Sequence, residues 1–293
     1  MQGRIIKAIA GFYYVFAQDG ETYACRARGL FRKNGEKPLV GDLCRMEVTD
    51  LKDMEGNVTE LLPRKNELLR PNVANIDQAL IVFSLTHPSP SLVLLDKLLL
   101  QYTVYGIPSV ICFTKEDLAE EEMIRELAEI YADAGYPLLF ICAKTGQGME
   151  ELKALLKDRT TSVAGPSGVG KSTLINSLQD KIVTETGSIS KKSERGKHTT
   201  RHSEIIPIPL SESSYIMDTP GFSSFEVLGI TPETLAEHYR EFALSEPCYY
   251  MPCSHIHEPG CLVRERVEKG LIHRVRYENY IAIYGELKER RRY

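Results

Sequence analysis

The stretch that decides the fold is Gly165-Pro166-Ser167-Gly168-Val169-Gly170-Lys171-Ser172. It fits the pattern G-x-x-x-x-G-K-[ST] and follows the short apolar run 161–164. Consecutive backbone N–H groups in such a loop can wrap phosphates, and the dipole of the following helix favours their negative charge. The sequence therefore predicts a strand, a phosphate-binding loop and a helix, with Lys171 on the phosphates and Ser172 on Mg²⁺.

Three further motifs match guanine-nucleotide-binding proteins, but they occur in an unusual order. Asp218-Thr219-Pro220-Gly221 lies downstream of the loop and matches the DxxG element that binds magnesium and the γ-phosphate. Thr114-Lys115-Glu116-Asp117 resembles the [NT]KxD base-recognition element, and Cys142-Ala143-Lys144 resembles the SAK element. Both elements lie upstream of the phosphate loop in this chain, whereas in most GTPases they follow it. The sequence therefore predicts a circularly permuted α/β P-loop GTPase domain.

Asp117 is the candidate base reader, at the end of the predicted strand 107–113. Its carboxylate can accept hydrogen bonds from N1–H and the 2-amino group of guanine, whereas adenine offers neither donor. Read alone, the segment also fits a solvated helix start with Asp117 and Glu120 in the first turn. The other motifs favour guanine recognition.

Composition indicates an intracellular enzyme of two or three domains. The 293 residues are 43% apolar, which is ample for buried cores. Since no apolar run approaches ~20 residues and the N-terminus lacks a clear signal peptide, we expect no membrane association and a cytoplasmic location. The seven cysteines should be reduced unless they bind metal.

Four residues are candidate metal ligands, spaced C-x₄-C-x-H-x₅-C: Cys248, Cys253, His255 and Cys261. A tetrahedral Cys₃His set with no open position is typical of structural zinc, so we expect one Zn²⁺ per chain. His257 is a competing ligand, and a cluster of reduced core cysteines is the alternative. The scattered Cys25, Cys44, Cys112 and Cys142 are expected to be small core hydrophobes.

Three regions follow one another along the chain. Residues 1–66 show short alternating segments separated by Gly, Asp and Asn turns, which predict a small β-barrel. Residues 67–225 alternate apolar strands with helical patterns and predict the parallel sheet of the nucleotide domain. Residues 226–293 combine the Cys/His cluster with helix-prone segments. We expect these regions to be three domains.

Basic residues mark a candidate RNA surface. The chain carries a net charge of −4, but the segment between the phosphate loop and DxxG is basic. Such a segment suits nucleic-acid phosphates, although mobile solvated loops have the same composition. An ordinary exposed strand face explains the presence of Arg26, Arg28, Arg32 and Lys33 nearly as well. The candidate contacts are Arg26, Arg28, Arg32, Lys33, Lys191, Lys192 and Arg195.

The chain resembles the RsgA (YjeQ/YloQ) family of circularly permuted GTPases in the order of its motifs: barrel, 114–117, 142–144, 165–172, Gly196-Lys197-His198-Thr199-Thr200, 218–221 and the Cys/His cluster. The resemblance covers essentially the whole chain. Thr114 replaces the Asn of most GTPases, and Lys197 stands where the family often has Arg. The resemblance implies an N-terminal OB-fold barrel, a permuted GTPase domain and a mainly helical zinc-binding C-terminal domain.

The resemblance also implies a function. The protein would act as a monomer that binds the small ribosomal subunit and its rRNA and assists late subunit maturation. GTP hydrolysis, stimulated by the subunit, would time the release of the protein. Thr200, or alternatively Thr199, would complete a magnesium shell with Ser172 and Asp218. The implied nucleotide contacts are Thr114, Lys115, Asp117, Ala143, Lys144, Gly165, Pro166, Ser167, Gly168, Val169, Gly170, Lys171, Ser172, Thr173, Asp218 and Gly221.

The chain lacks the water-orienting side chain that Ras-like enzymes use for GTP hydrolysis. Ras-like enzymes place a water-orienting Gln after DxxG, but Phe222 occupies that position here. The nearest substitute is His198, which joins Lys171 as a candidate catalytic residue, although a solvated loop histidine is equally compatible. Two other functions stay open. A P-loop kinase or ATPase leaves Asp117 unexplained, and a nucleotide-gated RNA-binding module with negligible turnover does not need a hydrolytic reset.

Overall fold

The computed structural model describes residues 1–27, 31, 36–69, 71–179, 204–218, 226–243 and 246–290. These residues group into two compact units that interleave along the chain. The first unit holds 1–79, 153–164 and 172–221, and the second holds 80–152, 165–171 and 222–293. The three predicted domain boundaries stay predictions. Within the described ranges, no helix combines the length and apolar character that crossing a membrane requires.

Thirteen strands and six α-helices are found in the described residues. The strands are β1 Gln2–Ile9, β2 Phe12–Ala17, β3 Thr22–Ala27, β4 Leu43–Asp50, β5 Glu55–Leu61, β6 Glu67–Leu69, β7 Asn72–Ala74, β8 Gln78–Ser84, β9 Ser109–Thr114, β10 Leu138–Ile141, β11 Thr160–Ala164, β12 Glu204–Pro207 and β13 Tyr215–Asp218. The helices are α1 Leu92–Val104, α2 Glu121–Ala132, α3 Met149–Leu156, α4 Lys171–Gln179, α5 Leu262–Glu268 and α6 Arg274–Arg290.

Strands β1 to β5 form the predicted barrel. β1 pairs with β2, β2 with β3, and β4 with both β5 and β1, all antiparallel, while β3 pairs with β5 in parallel. The circuit is closed, which removes unpaired strand edges, and its order is that of an OB-like fold. Alternate side chains point inward, as the sequence pattern predicts. They build a core that includes Ile5, Val15, Tyr23, Cys25, Cys44, Met46 and Val58.

The same unit contains three strands beside the barrel. β11 and β13 run parallel, and β12 is antiparallel to β13. β12 also meets β1, where Lys7 and Glu204 pair in register and their charged groups lie 3.5 Å apart. Arg4 donates to the Thr160 hydroxyl at 2.6 Å, and its guanidinium lies 4.6 Å from the centre of the Tyr215 ring. The barrel and these three strands are therefore joined by the β1–β12 pairing and by the half-buried guanidinium group of Arg4.

The second unit contains β8, β9 and β10, followed in the chain by helices that pack on them. β9 and β10 are parallel, and every residue of β8 and β9 is buried. Fully buried apolar strands are typical of a sheet covered on both faces. The C-terminal region contributes α5, α6 and two 3-10 turns, Leu235–His238 and Arg240–Phe242. Together these elements confirm the predicted fold class: an OB-like barrel, α/β elements with parallel strands, and a helical C-terminal region with a Cys/His cluster.

A buried polar cluster joins α6 to α1 and α2. Arg276 on α6 pairs with Asp96 on α1, and its Nε donates to Glu241 at 2.7 Å. Asp96 also accepts from Tyr131 at 3.0 Å and from Asn279 at 2.7 Å. Desolvation opposes the Arg276 cation, but the two carboxylates raise the pKa of Arg276 above its usual value. The cluster fixes the C-terminal helix on the helices that follow β8 and β9.

We expect Asp96→Ala to destabilise the protein strongly. The substitution leaves three buried donors unpaired, on Arg276, Tyr131 and Asn279, at about 1–3 kcal/mol each. Equilibrium unfolding in urea should show a free energy of unfolding lower by about 3 kcal/mol or more. The matched control is Lys97→Ala. It removes a half-exposed ion pair between Lys97 on α1 and Glu286 on α6, whose charged atoms lie 2.6 Å apart. The control should lose only about 0–1 kcal/mol, and equal losses in both variants would contradict the assignment.

Candidate nucleotide site and metal centre

The phosphate loop leaves β11, whose five residues are all buried. Gly165 begins the loop with φ +151°, and a Cβ at this position would lie 2.1 Å from the Val82 carbonyl oxygen. Only glycine allows the two backbones to approach this closely. Gly168 and Gly170 also have positive φ values, +80° and +98°. The loop conformation therefore depends on the glycines of the sequence motif.

Lys171 ends the loop and begins α4. The side chain is buried, and its ammonium group donates to the carbonyl oxygens of Gly165 at 2.8 Å and Pro166 at 2.6 Å. These bonds direct the positive charge to the inside of the loop. Ser167, Ser172 and Thr173 are exposed around it. The loop thus combines a central cation with accessible polar groups at the start of a helix, an arrangement that suits an anionic ligand.

The predicted base-recognition element lies against this loop. Thr114 ends β9, and its hydroxyl donates to the Val169 carbonyl oxygen at 2.6 Å, with the Phe83 oxygen 3.3 Å away. Lys115 adopts a left-handed conformation, φ +62°, and its ammonium group donates to the Gly168 oxygen at 3.2 Å and to His87. The backbone turn that follows leaves the Asp117 side chain exposed. Asp117 is therefore accessible to a ligand held by the phosphate loop.

The Cys142-Ala143-Lys144 segment reaches the same turn. It follows β10, which is parallel to β9, so the carboxyl ends of both strands meet at one edge of the sheet. The Cys142 thiol donates to the Asp117 carboxylate at 3.2 Å, and Gln147 donates to Glu116 at 2.8 Å. Ala143 is half-buried and Lys144 is exposed. Cys142 is buried as predicted, but its thiol also has a polar partner that the sequence analysis missed.

The DxxG aspartate ends β13. Asp218 is half-buried and pairs in register with Val163, just before the phosphate loop. Its position at the carboxyl end of a parallel strand is where such folds bind ligands. Gly221 of the same motif lies outside the described residues.

The Cys/His cluster brings its four predicted ligands together. One ligand atom each of Cys248, Cys253, His255 and Cys261 lies within 4.8 Å of the others. His255 Nδ1 is 3.7 Å from the Cys248 sulfur and 3.3 Å from the Cys261 sulfur. Tetrahedral bonds of ~2.3 Å to sulfur and ~2.0 Å to nitrogen would separate the sulfur and nitrogen atoms by about 3.5 Å. The donor set can therefore hold one metal ion.

Second-layer contacts support this cluster. The hydroxyl groups of Tyr277 and Tyr280 on α6 donate to the carbonyl oxygens of His255 and Ser254, both at 2.7 Å. Burial raises the pKa of Cys253 to about 12, so a bound cation would be needed to keep this thiol deprotonated. His257 is exposed and lies outside the group of four. The competing ligand is therefore not part of the cluster.

Comparison with known proteins decides the family. A family model described as RsgA GTPase matches residues 61–228, and one described as RsgA N-terminal domain matches residues 2–56. The chain belongs to the RsgA family of GTPases. A small ribosomal subunit biogenesis GTPase RsgA from Agathobacter rectalis is 51% identical over 100% of both chains. One from Caldanaerobacter subterraneus is 46% identical over 100% of this chain and 98% of the relative.

Solved structures of the family have the same fold. The crystal structure of YjeQ from Thermotoga maritima covers 98% of each chain with a TM-score of 0.81 at 34% identity. The crystal structure of YloQ, a circularly permuted GTPase, covers 99% of this chain and 95% of its own, with a TM-score of 0.78 at 37% identity. The family assignment confirms the resemblance seen in the motif order.

Several predicted site residues belong to parts of the chain that the structure does not describe. The segment with the candidate water-orienting histidine and switch threonine lies outside the described residues, as does most of the candidate RNA surface. Their roles stay predictions. The residues are Arg28, Arg32, Lys33, Lys191, Lys192, Arg195, His198, Thr199, Thr200 and Gly221.

We expect purified protein to retain about one metal ion per chain, because the cluster offers a complete tetrahedral donor set. His255→Ala should lose the ion, as measured by elemental analysis of protein prepared without chelators. The matched control His257→Ala should keep it, because that imidazole lies outside the cluster. If His255→Ala kept the metal ion and His257→Ala lost it, His257 would be the ligand instead of His255.

Proposed function

We propose that this GTPase binds the small ribosomal subunit, assists its late maturation and times its own release by GTP hydrolysis. The observation that carries the proposal is the hydrogen-bonded contact between the 114–117 turn and the phosphate loop, in a chain whose full-length relatives are named small ribosomal subunit biogenesis GTPases. That contact gives one ligand access to a base reader and a phosphate loop together. The proposal includes action as a monomer in the cytoplasm, where subunits mature.

Guanine would be read by the exposed Asp117. Its two oxygens can accept from N1–H and the 2-amino group, and the apolar stem of Lys115 can cover the ring face. Ala143 and Lys144 belong to the turn held against Asp117 by Cys142 and would border the base on its far side.

Phosphates and magnesium would bind at the start of α4. The backbone N–H groups of 165–171 and the Lys171 ammonium would hold the phosphates, with Thr173 at the first helical turn. Ser172 and Asp218 offer oxygen ligands of the kind that Mg²⁺ prefers. Thr200 would complete the magnesium shell, and the Gly221 N–H would contact the γ-phosphate.

Zinc is the metal that best fits the Cys/His cluster. Three thiolates and one imidazole form a soft, tetrahedral set without an open position, which is typical of structural zinc rather than a catalytic ion. The cysteines Cys248 and Cys261 are also part of the apolar core that α5 and α6 share with the 3-10 turns. Metal binding would therefore stabilise the C-terminal region as a whole.

RNA contact would involve the barrel and the basic segment before DxxG. Of the candidate residues, Arg26 is described: it is exposed on β3, with its guanidinium 4.8 Å from the centre of the Phe12 ring. A cation held over an aromatic ring keeps its outward edge available for a phosphate. The remaining candidates, Arg28, Arg32, Lys33, Lys191, Lys192 and Arg195, would extend this surface.

Guanine specificity can be tested through Asp117. Asp117→Asn should shift preference from GTP towards xanthosine triphosphate, because the amide donates where the carboxylate accepted, while Asp117→Ala should weaken GTP binding by about 100-fold or more. Fluorescence titrations with GTP, XTP and ATP measure both effects. The control Glu120→Gln changes an exposed carboxylate at the start of α2 and should leave the preference unchanged. Unaltered GTP affinity in both Asp117 variants would refute base reading by this residue.

Hydrolysis can be tested through His198. We expect slow intrinsic turnover because Phe222 cannot orient water, and strong stimulation by small ribosomal subunits. His198→Ala should remove most of the stimulation while subunit docking and GTP binding persist. His202→Ala, in the same segment, is the matched control and should respond like the wild type. Full stimulation of His198→Ala by the subunits would show that another group orients the attacking water. If the subunits did not stimulate the wild type, a nucleotide-gated RNA-binding module would be favoured.

A further inference from the structure

A cleft lies beside the outer face of the barrel, next to the turn that joins β12 to β13. Its volume is about 740 Å³, within the range of pockets that enclose small molecules. All of its lining residues belong to the first compact unit. The barrel contributes the start of β1, the end of β2 and the residues Leu43 and Leu62, and the remaining lining comes from the segment 207–215. Neither the nucleotide site nor the metal cluster uses this cleft.

One row of side chains on the barrel places a cation between two apolar groups. Arg4 on β1 pairs in register with Phe16 on β2 and, on its other side, with Leu43 on β4. Directly opposite residues of antiparallel strands point to the same face of the sheet. The next residue of β1, Ile5, is buried in the barrel core, so the row of three faces outward and lines the cleft.

The Arg4 guanidinium is held in place without a carboxylate. It donates to the Thr160 hydroxyl at 2.6 Å and lies over the Tyr215 ring, and no ion pair to it is found within the described ranges. Asp77 acts on it from farther away and binds Lys65 and the Thr160 N–H instead. Burial lowers the pKa of Arg4, and Tyr215 and Asp77 oppose this only in part. A half-buried cation with several N–H groups left over is suited to a bound anion.

The charges around the cleft favour a single carboxylate as that anion. Of the lining residues, Arg4 alone is cationic, whereas Asp19 and Glu212 contribute two negative charges. A phosphate monoester carries a charge of about −1.5 to −2, and RNA carries one charge per nucleotide, so both would be repelled more strongly than a monoanion. A guanidinium also matches the planar, two-oxygen geometry of a carboxylate. Phe16 and Leu43 can then contact an apolar group beside it.

We propose that this cleft binds a carboxylate attached to an aromatic or branched apolar group, with the carboxylate on Arg4 and the apolar group against Phe16 or Leu43. A free organic acid and the C-terminal residue of a peptide both offer this chemistry. Because Arg4 contacts Thr160 on β11 and Tyr215 on β13, the ligand would also strengthen the junction between the barrel and the strands that lead to the phosphate loop and the DxxG motif. The inference is independent of how the nucleotide base is read.

The probe is hydrocinnamate, a phenyl ring on a short chain that ends in a carboxylate, and its neutral counterpart is hydrocinnamamide. In saturation-transfer NMR titrations of the full-length chain, the acid should bind about tenfold more tightly, because the amide lacks the charge-assisted bond to Arg4. A short peptide that ends in phenylalanine, with a free or an amidated C-terminus, is the second arm. Tighter binding of the free peptide than of hydrocinnamate would identify a peptide C-terminus as the source, and equal or weaker binding would identify a free acid. Both results support the proposal.

Substitutions locate the bound acid. Arg4→Gln should weaken hydrocinnamate binding about tenfold and Leu43→Gln about threefold. Glu212→Gln removes a neighbouring negative charge and should strengthen binding. The matched control is Arg45→Gln, which removes an exposed cation of the same barrel that pairs with Glu60 outside the cleft. This control should bind hydrocinnamate like the wild type.

Three results would overturn the proposal. The first is equal affinity of the wild type for the acid and the amide. The second is unchanged binding in Arg4→Gln, or a loss in Arg45→Gln as large as that in Arg4→Gln, which would indicate a general attraction to the charge of the barrel. The third is displacement of hydrocinnamate by oligouridylate at lower concentrations than by hydrocinnamate itself, which would assign the cleft to RNA. Should Arg4→Gln fail to fold, the wild-type comparison and Leu43→Gln carry the test.

Discussion

The hydrogen bond from the Thr114 hydroxyl to the Val169 carbonyl oxygen, 2.6 Å long, is the contact on which the nucleotide site depends. It joins a turn at the end of β9 to a phosphate loop 55 residues later in the chain, and Lys115 adds a second contact to the loop at Gly168. A ligand that binds both elements needs them at a fixed separation. Because this separation is set by contacts in space, the order of the two elements along the chain is free to change.

The permuted order puts different neighbours around the site. The chain after DxxG continues into the C-terminal region, and Leu228 there is held by Gln101 on α1, which accepts from its N–H at 2.8 Å. The Asp96–Arg276–Glu241 cluster then fixes α6 on the same helix. The metal cluster therefore belongs to the compact unit that also contains the 114–117 turn. A metal ion in the cluster would stabilise this unit.

Sequence patterns predicted the parts of the structure that short motifs encode. The strand–loop–helix of 160–179, the barrel strands and the clustering of the four candidate metal ligands all follow from local spacing. The helix-prone segments of 226–293 form two α-helices, α5 and α6, but the part before the Cys/His cluster forms only two 3-10 turns. The contacts of Arg276 and Cys142 could not be predicted, because their partners lie 180 and 25 residues away. The one signal for Cys142 was its position in a motif that normally begins with a hydroxyl side chain.

The central claim is that a base reader placed before the phosphate loop in the chain binds the same nucleotide as that loop. A crystal structure of the protein with GDP and Mg²⁺ tests it most directly. The claim predicts both Asp117 oxygens at about 2.7–3.2 Å from the guanine N1 and 2-amino nitrogens, with the phosphates inside the 165–172 loop. A guanine ring beyond hydrogen-bonding distance of Asp117, with phosphates still in the loop, would contradict it.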